Sequence, residues 1–141
     1  KPLTSRGPLG PSLVSDILKR MVRSLFFQKM IVWDKAKKLT VNTYRLVKFL
    51  PKEELYSLSD QMRRAAISII SNIAEGSGRV TARETRYFLG IARGSVNELH
   101  AQLIICQELE YLTFEQVKPL MALSDEVRRM LTSLIAKESY D

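Results

Sequence analysis

The stretch RRAAISIISNIAEGSGR, residues 63–79, is apolar enough for a buried helix, yet polar side chains interrupt it at regular intervals. Successive helical residues are 100° apart, and this spacing places five apolar residues on one arc: Leu58, Met62, Ala65, Ile69 and Ile73. The polar residues fall together on the adjoining arc: Arg64, Ser68, Ser71, Asn72, Glu75 and Arg79. The stretch therefore predicts a helix with one core face and a polar stripe beside it.

The polar stripe has two interpretations. Such a stripe is often a solvated helix face, but serine and asparagine are poor choices for an exposed helix interior, and polar groups beside a core need hydrogen-bond partners. The next predicted helix places Ser95 and Glu98 on a matching arc, with Arg64 expected within reach of Glu98. We therefore predict a structural polar network between the two helices, made of Arg64, Ser68, Asn72, Glu75, Ser95 and Glu98.

Local signals divide the chain from Met30 onward into four helical segments. Pro51 ends the first segment, and Gly76 and Gly78 supply a permissive backbone at the end of the second. Three pairs resemble capping boxes at helix starts: Ser57 with Asp60, Thr81 with Glu84, and Thr113 with Gln116. The predicted helices cover about residues 30–50, 58–76, 82–110 and 114–137. The first is expected to bury Trp33, Ala36, Thr40, Tyr44 and Val47.

Short connections and the lack of strand-like alternation favour one fold class. Consecutive helices joined this closely pack antiparallel, so we predict an all-α, up-down antiparallel four-helix bundle over residues 30–141. Residues 1–29 are predicted to be a disordered or partly helical N-terminal extension. Three prolines and two glycines fall in residues 1–12. Residues 12–27 either stay mobile, which we favour, or form a short amphipathic helix.

Composition bounds the class of protein. At 141 residues the chain has the length of one domain with a sizeable core. Its net charge of +7 is unevenly distributed along the chain. Residues 1–29 contain six cationic side chains and one carboxylate, Asp16, and so carry +5 of the total. Cys106 is the only cysteine, which excludes an intrachain disulfide, and no apolar run approaches membrane length. We therefore expect a cytoplasmic protein with no membrane partner.

Four blocks of sequence, in order, carry a resemblance to a known family: IVWDKAKKL, FLPKEELYSLSDQMRRAAISIISNIAEGSGR, FLGIARGSVNEL and ELEYL. They resemble the four-helix bundle proteins encoded by intervening sequences in bacterial 23S ribosomal RNA genes, over about residues 25–137. The resemblance implies a ring-shaped homopentamer. It also implies a relationship to the accessory variability determinant proteins of diversity-generating retroelements, which bind nucleic acid and a reverse transcriptase. RNA or DNA and a further protein are therefore the expected partners.

Two groups of cationic residues are candidates for contacting nucleic acid. The first lies on the first helix and consists of Lys35, Lys37, Lys38, Arg45 and Lys48. The second lies at one end of the bundle and consists of Arg79, Arg83 and Arg86. Cationic groups bind phosphates with an affinity that falls as salt rises, although an ordinary solvated helix face has the same composition. In a ring of identical subunits, each group would be repeated around the symmetry axis, which raises the local potential.

Catalysis has one candidate pair, and we expect no enzyme. Arg93 and His100 resemble the metal-independent ribonuclease motif of the HEPN bundles, in which the histidine acts as a base on a ribose hydroxyl. His100 is the sole histidine, so a di-iron bundle lacks its ligands, and no phosphate-binding glycine loop is present. Cys106 is expected to be a small core residue. We predict a non-enzymatic protein without metal or cofactor, with a pure protein-interaction scaffold as the alternative function.

The last predicted helix has an apolar band that is wider than one bundle core needs. The band consists of Leu120, Met121, Leu123, Val127, Met130, Leu131, Leu134 and Ile135. Wide apolar bands often mark an interface, so the band predicts a homo-oligomer. The alternative is a fourth helix that is generously buried within its own bundle.

Overall fold

The computed structural model describes residues 10–138, without the side chains at 22–25 and 27. It consists of four long helices: α1 (Pro11–Leu46), α2 (Leu58–Ser77), α3 (Ala82–Glu108) and α4 (Phe114–Lys137). Two 3₁₀ turns, Val47–Phe49 and Lys52–Glu54, connect α1 to α2, and the described residues contain no strand. Each helix packs against its chain neighbours and α4 packs against α1, which closes a four-helix bundle. None of the described helices is both long and apolar enough to cross a bilayer.

The first helix is longer than predicted at its N-terminal end. The expected start at Met30 is wrong, because α1 begins at Pro11 and runs without interruption to Leu46. Proline is favourable in a first turn, where its missing amide hydrogen leaves no bond unmade. Residues 12–27 are rich in leucine, methionine and basic residues, which favour helix over the mobile extension that we preferred. The predicted disorder of residues 1–9 lies outside the described residues.

The core face of α2 is the predicted one. Met62, Ala65, Ile69 and Ile73 are buried, and Leu58 is partly buried against them. Their spacing of three and four residues keeps them on one side of the helix, so the periodicity alone was sufficient to find them. The core is completed by leucines and valines of the other three helices, among them Leu39, Leu89, Leu99, Val127 and Leu131.

On α1 the prediction is wrong for the two aromatic residues. Trp33 and Tyr44 lie on the surface, with 39% and 40% of their area exposed. Between residues 28 and 46, the buried row of α1 consists of Val32, Ala36, Leu39, Thr40, Thr43 and Leu46. Trp33 directly follows a residue of this row and is therefore rotated by 100° from the core. The other three predicted residues, Ala36, Thr40 and Val47, are buried.

The three predicted capping boxes differ in the structure. Thr113 forms a complete box, because its side chain accepts from the Gln116 amide while the Gln116 side chain accepts from the Thr113 amide. Thr81 forms half a box by accepting from the Glu84 amide at 3.2 Å. The box at Ser57 is wrong, because its hydroxyl donates at 2.6 Å to a carboxylate on the preceding 3₁₀ turn.

The apolar band of α4 is largely used within the chain. Four of its residues are buried in the core: Leu120, Val127, Leu131 and Leu134. The other four are partly buried and pack against that core: Met121, Leu123, Met130 and Ile135. The width of the band is therefore accounted for within one chain, and it does not by itself require an interface between copies. The alternative, a generously buried fourth helix, is what the structure contains.

The end of α2 depends on close packing and not on backbone freedom. Gly78 has φ of −93°, which any residue adopts, so its predicted role as a permissive residue is wrong. Gly76 is buried, and a β-carbon built on it would lie 3.3 Å from the β-carbon of Phe88 and 3.5 Å from the Thr85 carbonyl oxygen. The glycine therefore allows the C-terminal end of α2 to approach the N-terminal end of α3 closely.

Candidate nucleic-acid interface

A small polar network joins α2 to α3. The hydroxyls of Ser68 and Ser95 are 2.7 Å apart and share a hydrogen bond. The Asn72 side-chain amide donates to the Ser68 carbonyl oxygen at 2.8 Å and to its hydroxyl at 3.1 Å. All three side chains are half-buried, so their hydrogen bonds replace contacts with water that packing excludes. Three of the six predicted network residues are thus brought together.

The charged residues predicted for that network lie outside it. Arg64 is exposed and donates to Asp60, one turn earlier on α2, at 2.9 Å. Glu75 pairs with Arg79, again within the C-terminal region of α2 and its turn. Glu98 is exposed on α3. The expected pair between Arg64 and Glu98 is therefore wrong, because Arg64 pairs with Asp60 on its own helix and both side chains stay in water, where desolvation is not required.

The first cationic group divides into paired and unpaired members. Lys35 forms an ion pair with Glu126 of α4. Lys37 lies 3.4 Å from Asp34 and 5.2 Å from the centre of the Trp33 ring. The remaining three, Lys38, Arg45 and Lys48, are exposed and have no ion-pair partner among the described residues. Only these three present their charge fully to a ligand.

The second cationic group is largely engaged by the protein itself. Arg79 pairs with Glu75, and its guanidinium lies 4.6 Å from the centre of the Phe88 ring. Arg86 is half-buried and donates to the Glu138 carbonyl oxygen at the end of α4. Arg83 is exposed. The three side chains thus serve different contacts at this end of the bundle and do not form one continuous cationic surface.

Three open cavities of about 650, 530 and 270 Å³ are lined by residues of α1 and α2. We call the three together the α1/α2 groove. Its α1 side includes Phe26, Met30, Trp33, Tyr44 and Lys48. Its α2 side includes Arg63, Arg64, Ile67, Ser71, Ala74 and Ser77. Apolar and aromatic surface is thus exposed along the groove, with cationic side chains at its edges.

The charge balance of the groove is positive. Five cationic side chains line it: Lys29, Lys48, Lys52, Arg63 and Arg64. Only two carboxylates do so, Asp34 and Asp60, and each has a cation as partner. The sequence-based candidates did not include Arg63 or the two aromatic residues. The spacing of Trp33, Lys37, Tyr44 and Lys48, in steps of four, seven and four, is a signal that would have placed them on one face.

The candidate ribonuclease residues on α3 both contact α4. His100 Nδ1 lies 2.9 Å from the Ser124 hydroxyl, which itself donates to the Met121 carbonyl oxygen. Arg93 instead donates to the Thr132 hydroxyl at 3.4 Å. The Cα atoms of Arg93 and His100 are about 10 Å apart along α3, since seven residues rise by 1.5 Å each. The two side chains therefore do not converge on one reacting group.

A small cavity of about 180 Å³ lies beside His100 and contains Asn97, Asp125 and Arg128. Arg128 donates a hydrogen bond to Asp125, and this bond is the main reason that the pKa of Asp125 lies below its ordinary value. The described residues contain no cluster of three or more metal-ligating side chains. The charges of Asp125 and Arg128, which line the cavity, therefore balance each other.

The side chains of Cys106 and Glu54 are engaged in contacts within the protein. The Cys106 thiol is buried 3.5 Å from the Met62 sulfur, and burial raises its pKa to about 11.

Glu54 accepts from the Ser57 hydroxyl at 2.6 Å and from the Tyr111 hydroxyl at 2.9 Å. These hydrogen bonds, that from Ser57 above all, hold the pKa of Glu54 below its usual range. Glu54 thus ties the α1–α2 connection to the start of the α3–α4 turn.

Comparison with known proteins identifies the family. A family model described as "23S rRNA-intervening sequence protein" matches residues 28–133. The chain belongs to this family. It is also similar to a solved structure from Bacteroides thetaiotaomicron, titled a protein with unknown function from the S23 ribosomal protein family. The two are 30% identical with a TM-score of 0.72, over 77% of this chain and 98% of that one. A comparison with curated proteins gives no match.

The family membership confirms the resemblance that the four sequence blocks carried. Those blocks lie on α1, on α2 with the turns before it, on α3, and at the α3–α4 turn. They contain core residues of α2 such as Met62 and Ile69 as well as the Ser68 and Asn72 hydrogen bonds. The four blocks therefore include residues that hold α2 and α3 together.

Proposed function

We propose that this family member is a non-enzymatic, oligomeric bundle that binds structured RNA through the exposed face of α1 and the neighbouring α1/α2 groove. The supporting observation is the set Lys38, Arg45 and Lys48, three exposed cations without an ion-pair partner among the described residues. The charge of the groove points the same way, since five cations, Lys48 among them, line it against two carboxylates. Phosphate groups are the ligands that such surfaces bind by counterion release.

The contacts of the two cationic groups indicate which of them makes the main contact with RNA. A cation that already pairs with a carboxylate gains less from a phosphate, because the existing pair, worth about 0.2 to 1 kcal/mol at a surface, must be broken or shared. Lys35 and Arg79 are paired in this way, and Arg86 is held by the Glu138 carbonyl oxygen. We therefore assign the main contact to the α1 group and a secondary contact to Arg83 at the other end of the bundle.

Oligomerisation is part of the proposal. A ring-shaped homopentamer would repeat the α1 group around an axis and so raise the local potential without more charge per chain. The proposal also includes a bacterial cytoplasmic setting, a protein partner for which the RNA-bound ring acts as an adaptor, and a relationship to the retroelement accessory proteins. The rival function is a protein-interaction scaffold with no affinity for nucleic acid.

The test is binding of a hairpin RNA at several salt concentrations. Replacement of Lys38, Arg45 and Lys48 by glutamine should weaken binding at low salt by at least tenfold and reduce the salt slope by about 2, at roughly 0.7 to 0.9 per lost phosphate contact. The control replaces Lys118 and Arg129, exposed cations on α4 that belong to neither cationic group, by glutamine and should retain most of the affinity. An affinity that does not change with salt would contradict the proposal and favour the scaffold.

The same protein tests the absence of catalysis. Incubation of the hairpin with the purified chain should leave the RNA intact, and His100→Ala should behave as the unmodified chain does. Cleavage that disappears in His100→Ala would overturn the non-enzymatic part of the proposal and establish the HEPN-like alternative. The Nδ1 contact of His100 to Ser124 would then orient the base.

A further inference from the structure

We infer that Trp33 and Tyr44 are stacking platforms for unpaired nucleobases, so that the RNA segment in the α1/α2 groove is a single strand or a loop. The inference rests on the proposed function and names its ligand class. Both rings are about two-fifths exposed, although the residues next to them in the chain supply the fully buried row of α1. Exposed aromatic rings beside cations are the combination that binds single-stranded nucleic acid.

The two rings share one face of α1 with two lysines. Along α1, Trp33, Lys37, Tyr44 and Lys48 follow each other in steps of four, seven and four residues. At 100° per residue they fall within an arc of about 60° and extend over about 22 Å of the helix. An aromatic ring and a cation therefore alternate twice along the face, as a strand with alternating bases and phosphates requires.

The groove supplies space at each ring. Trp33 borders the cavity of about 650 Å³, whose other walls include Met30, Phe26 and Ala74. Tyr44 borders the two remaining cavities together with Arg63. The rings are about 17 Å apart along the helix, which corresponds to about five steps of a stacked strand at 3.4 Å per step. This length lies within the site size of other single-strand binders.

Unpaired bases fit these platforms better than a duplex does. In a duplex each base face is already stacked on its neighbours, and the protein reaches only backbone and groove edges. A loop or single strand presents free base faces to the Trp33 and Tyr44 rings. Lys37 Nζ lies over the Trp33 ring, 5.2 Å from its centre, and 3.4 Å from Asp34. A base that stacks on this face displaces the ammonium, which is then free to contact the adjoining phosphate.

A second copy of this chain is a poorer occupant of the groove. Two copies joined groove to groove would bring two surfaces together that each carry five cations against two carboxylates. Like charges brought together in this way oppose association. The positive lining is instead complementary to a polyphosphate backbone.

Trp33 is the only tryptophan, so its fluorescence reports on this site alone. The experiment titrates the full chain with an oligouridylate of about 12 nucleotides and with the same strand paired to oligoadenylate, at low salt. The single strand should quench Trp33 emission and bind more tightly than the duplex. Tyr44→Ala should weaken single-strand binding by roughly tenfold, and Trp33→Phe should retain it better than Trp33→Ala.

The control variant is Tyr87→Ala, which removes an exposed tyrosine of α3 outside the groove and should leave binding unchanged. Thermal unfolding of each variant verifies that it is folded. Equal binding of single strand and duplex, with unchanged Trp33 emission, would overturn the stacking inference and leave the proposed function intact. Absence of binding to either RNA would overturn both. Trp33 emission that depends on protein concentration without RNA would show that a second copy occupies the groove, which also overturns the inference.

Discussion

The contact between α2 and α3 and the groove between α1 and α2 are built from opposite kinds of residue. At the α2–α3 contact, Gly76 packs against Phe88, and Ser68 shares a hydrogen bond with Ser95. Between α1 and α2, the Thr40 hydroxyl reaches the Ala66 carbonyl oxygen at 3.1 Å, but cavities open on the flank of this contact. Small side chains bring helix axes together, whereas aromatic and long cationic side chains at the edge of a contact leave a surface that a ligand can use.

The largest expected effect is on the free energy of unfolding, and it compares a core residue of α2 with a groove residue of the same helix. Ile69→Ala should destabilise the protein by about 2 to 5 kcal/mol, because the side chain is fully buried and a cavity remains. Ile67→Ala, two residues earlier and 43% exposed in the groove, should change the free energy of unfolding by less than about 0.5 kcal/mol. Urea denaturation measures both values. Equal losses would show that the groove is packed shut in solution.

The second prediction concerns the close approach of α2 to α3. Gly76→Val should destabilise by about 1 to 3 kcal/mol, because a β-carbon already lies 3.3 Å from Phe88 and a branched side chain has no free space. Gly94→Ala, on α3 with nothing within 4 Å of its β-carbon, should instead stabilise by up to about 1 kcal/mol. Thermal melts of both variants give the comparison. A stable Gly76→Val protein would show that the two helices can move apart at no cost.

The third prediction concerns the polar network that closes the same contact. Ser68→Ala should cost about 1 kcal/mol, because Ser95 and the Asn72 amide each lose a partner. Ser68→Ala combined with Ser95→Ala should cost less than the sum of the single changes, since the two hydroxyls bond to each other. A double-mutant cycle in urea measures the coupling. Strict additivity would mean that the hydroxyls are separately hydrated.

The fourth prediction is a pH dependence at the end of the groove. The folded protein holds the pKa of Glu54 below its ordinary value of 4.5, through Ser57 and then Tyr111. A depressed carboxyl pKa contributes stability that is complete above about pH 4.5 and is lost as the pH falls through the folded-state pKa. In Glu54→Gln, stability should therefore fall less steeply as the pH is lowered below about 4.5. Thermal midpoints between pH 3 and pH 7, roughly the window over which carboxyl groups titrate, test this, with Glu53→Gln as the exposed control.

The smallest expected effect is on the chemistry of Cys106. Its pKa of about 11 leaves almost no thiolate at neutral pH, and the thiol is buried. Reagents for thiols should therefore modify it only in denaturant, and Cys106→Ala should not alter RNA binding. Rapid modification of the folded chain would show that the core opens near this position.

Much of the fold could be predicted from local pattern. The apolar positions of α2 and the starts of α2, α3 and α4 follow from periodicity and turn signals that act over a few residues. The candidate site could be predicted less well. Lys38, Arg45 and Lys48 were found as a cationic group, but the engagement of Lys35 with Glu126 depends on the neighbouring helix and could not be predicted from α1 alone.

By itself, the sequence determined that this chain is all helical, where three of its four helices begin, and which family it belongs to, because these depend on hydrogen bonds and side-chain spacing within one helix or turn. Only the tertiary structure decided that Ser68 meets Ser95 while Arg64 stays in water, and that Trp33 and Tyr44 face an open groove. The physical reason is distance. The gap between two helices is set by the sizes of all side chains at their contact, and this gap decides which polar groups reach each other and which rings stay exposed.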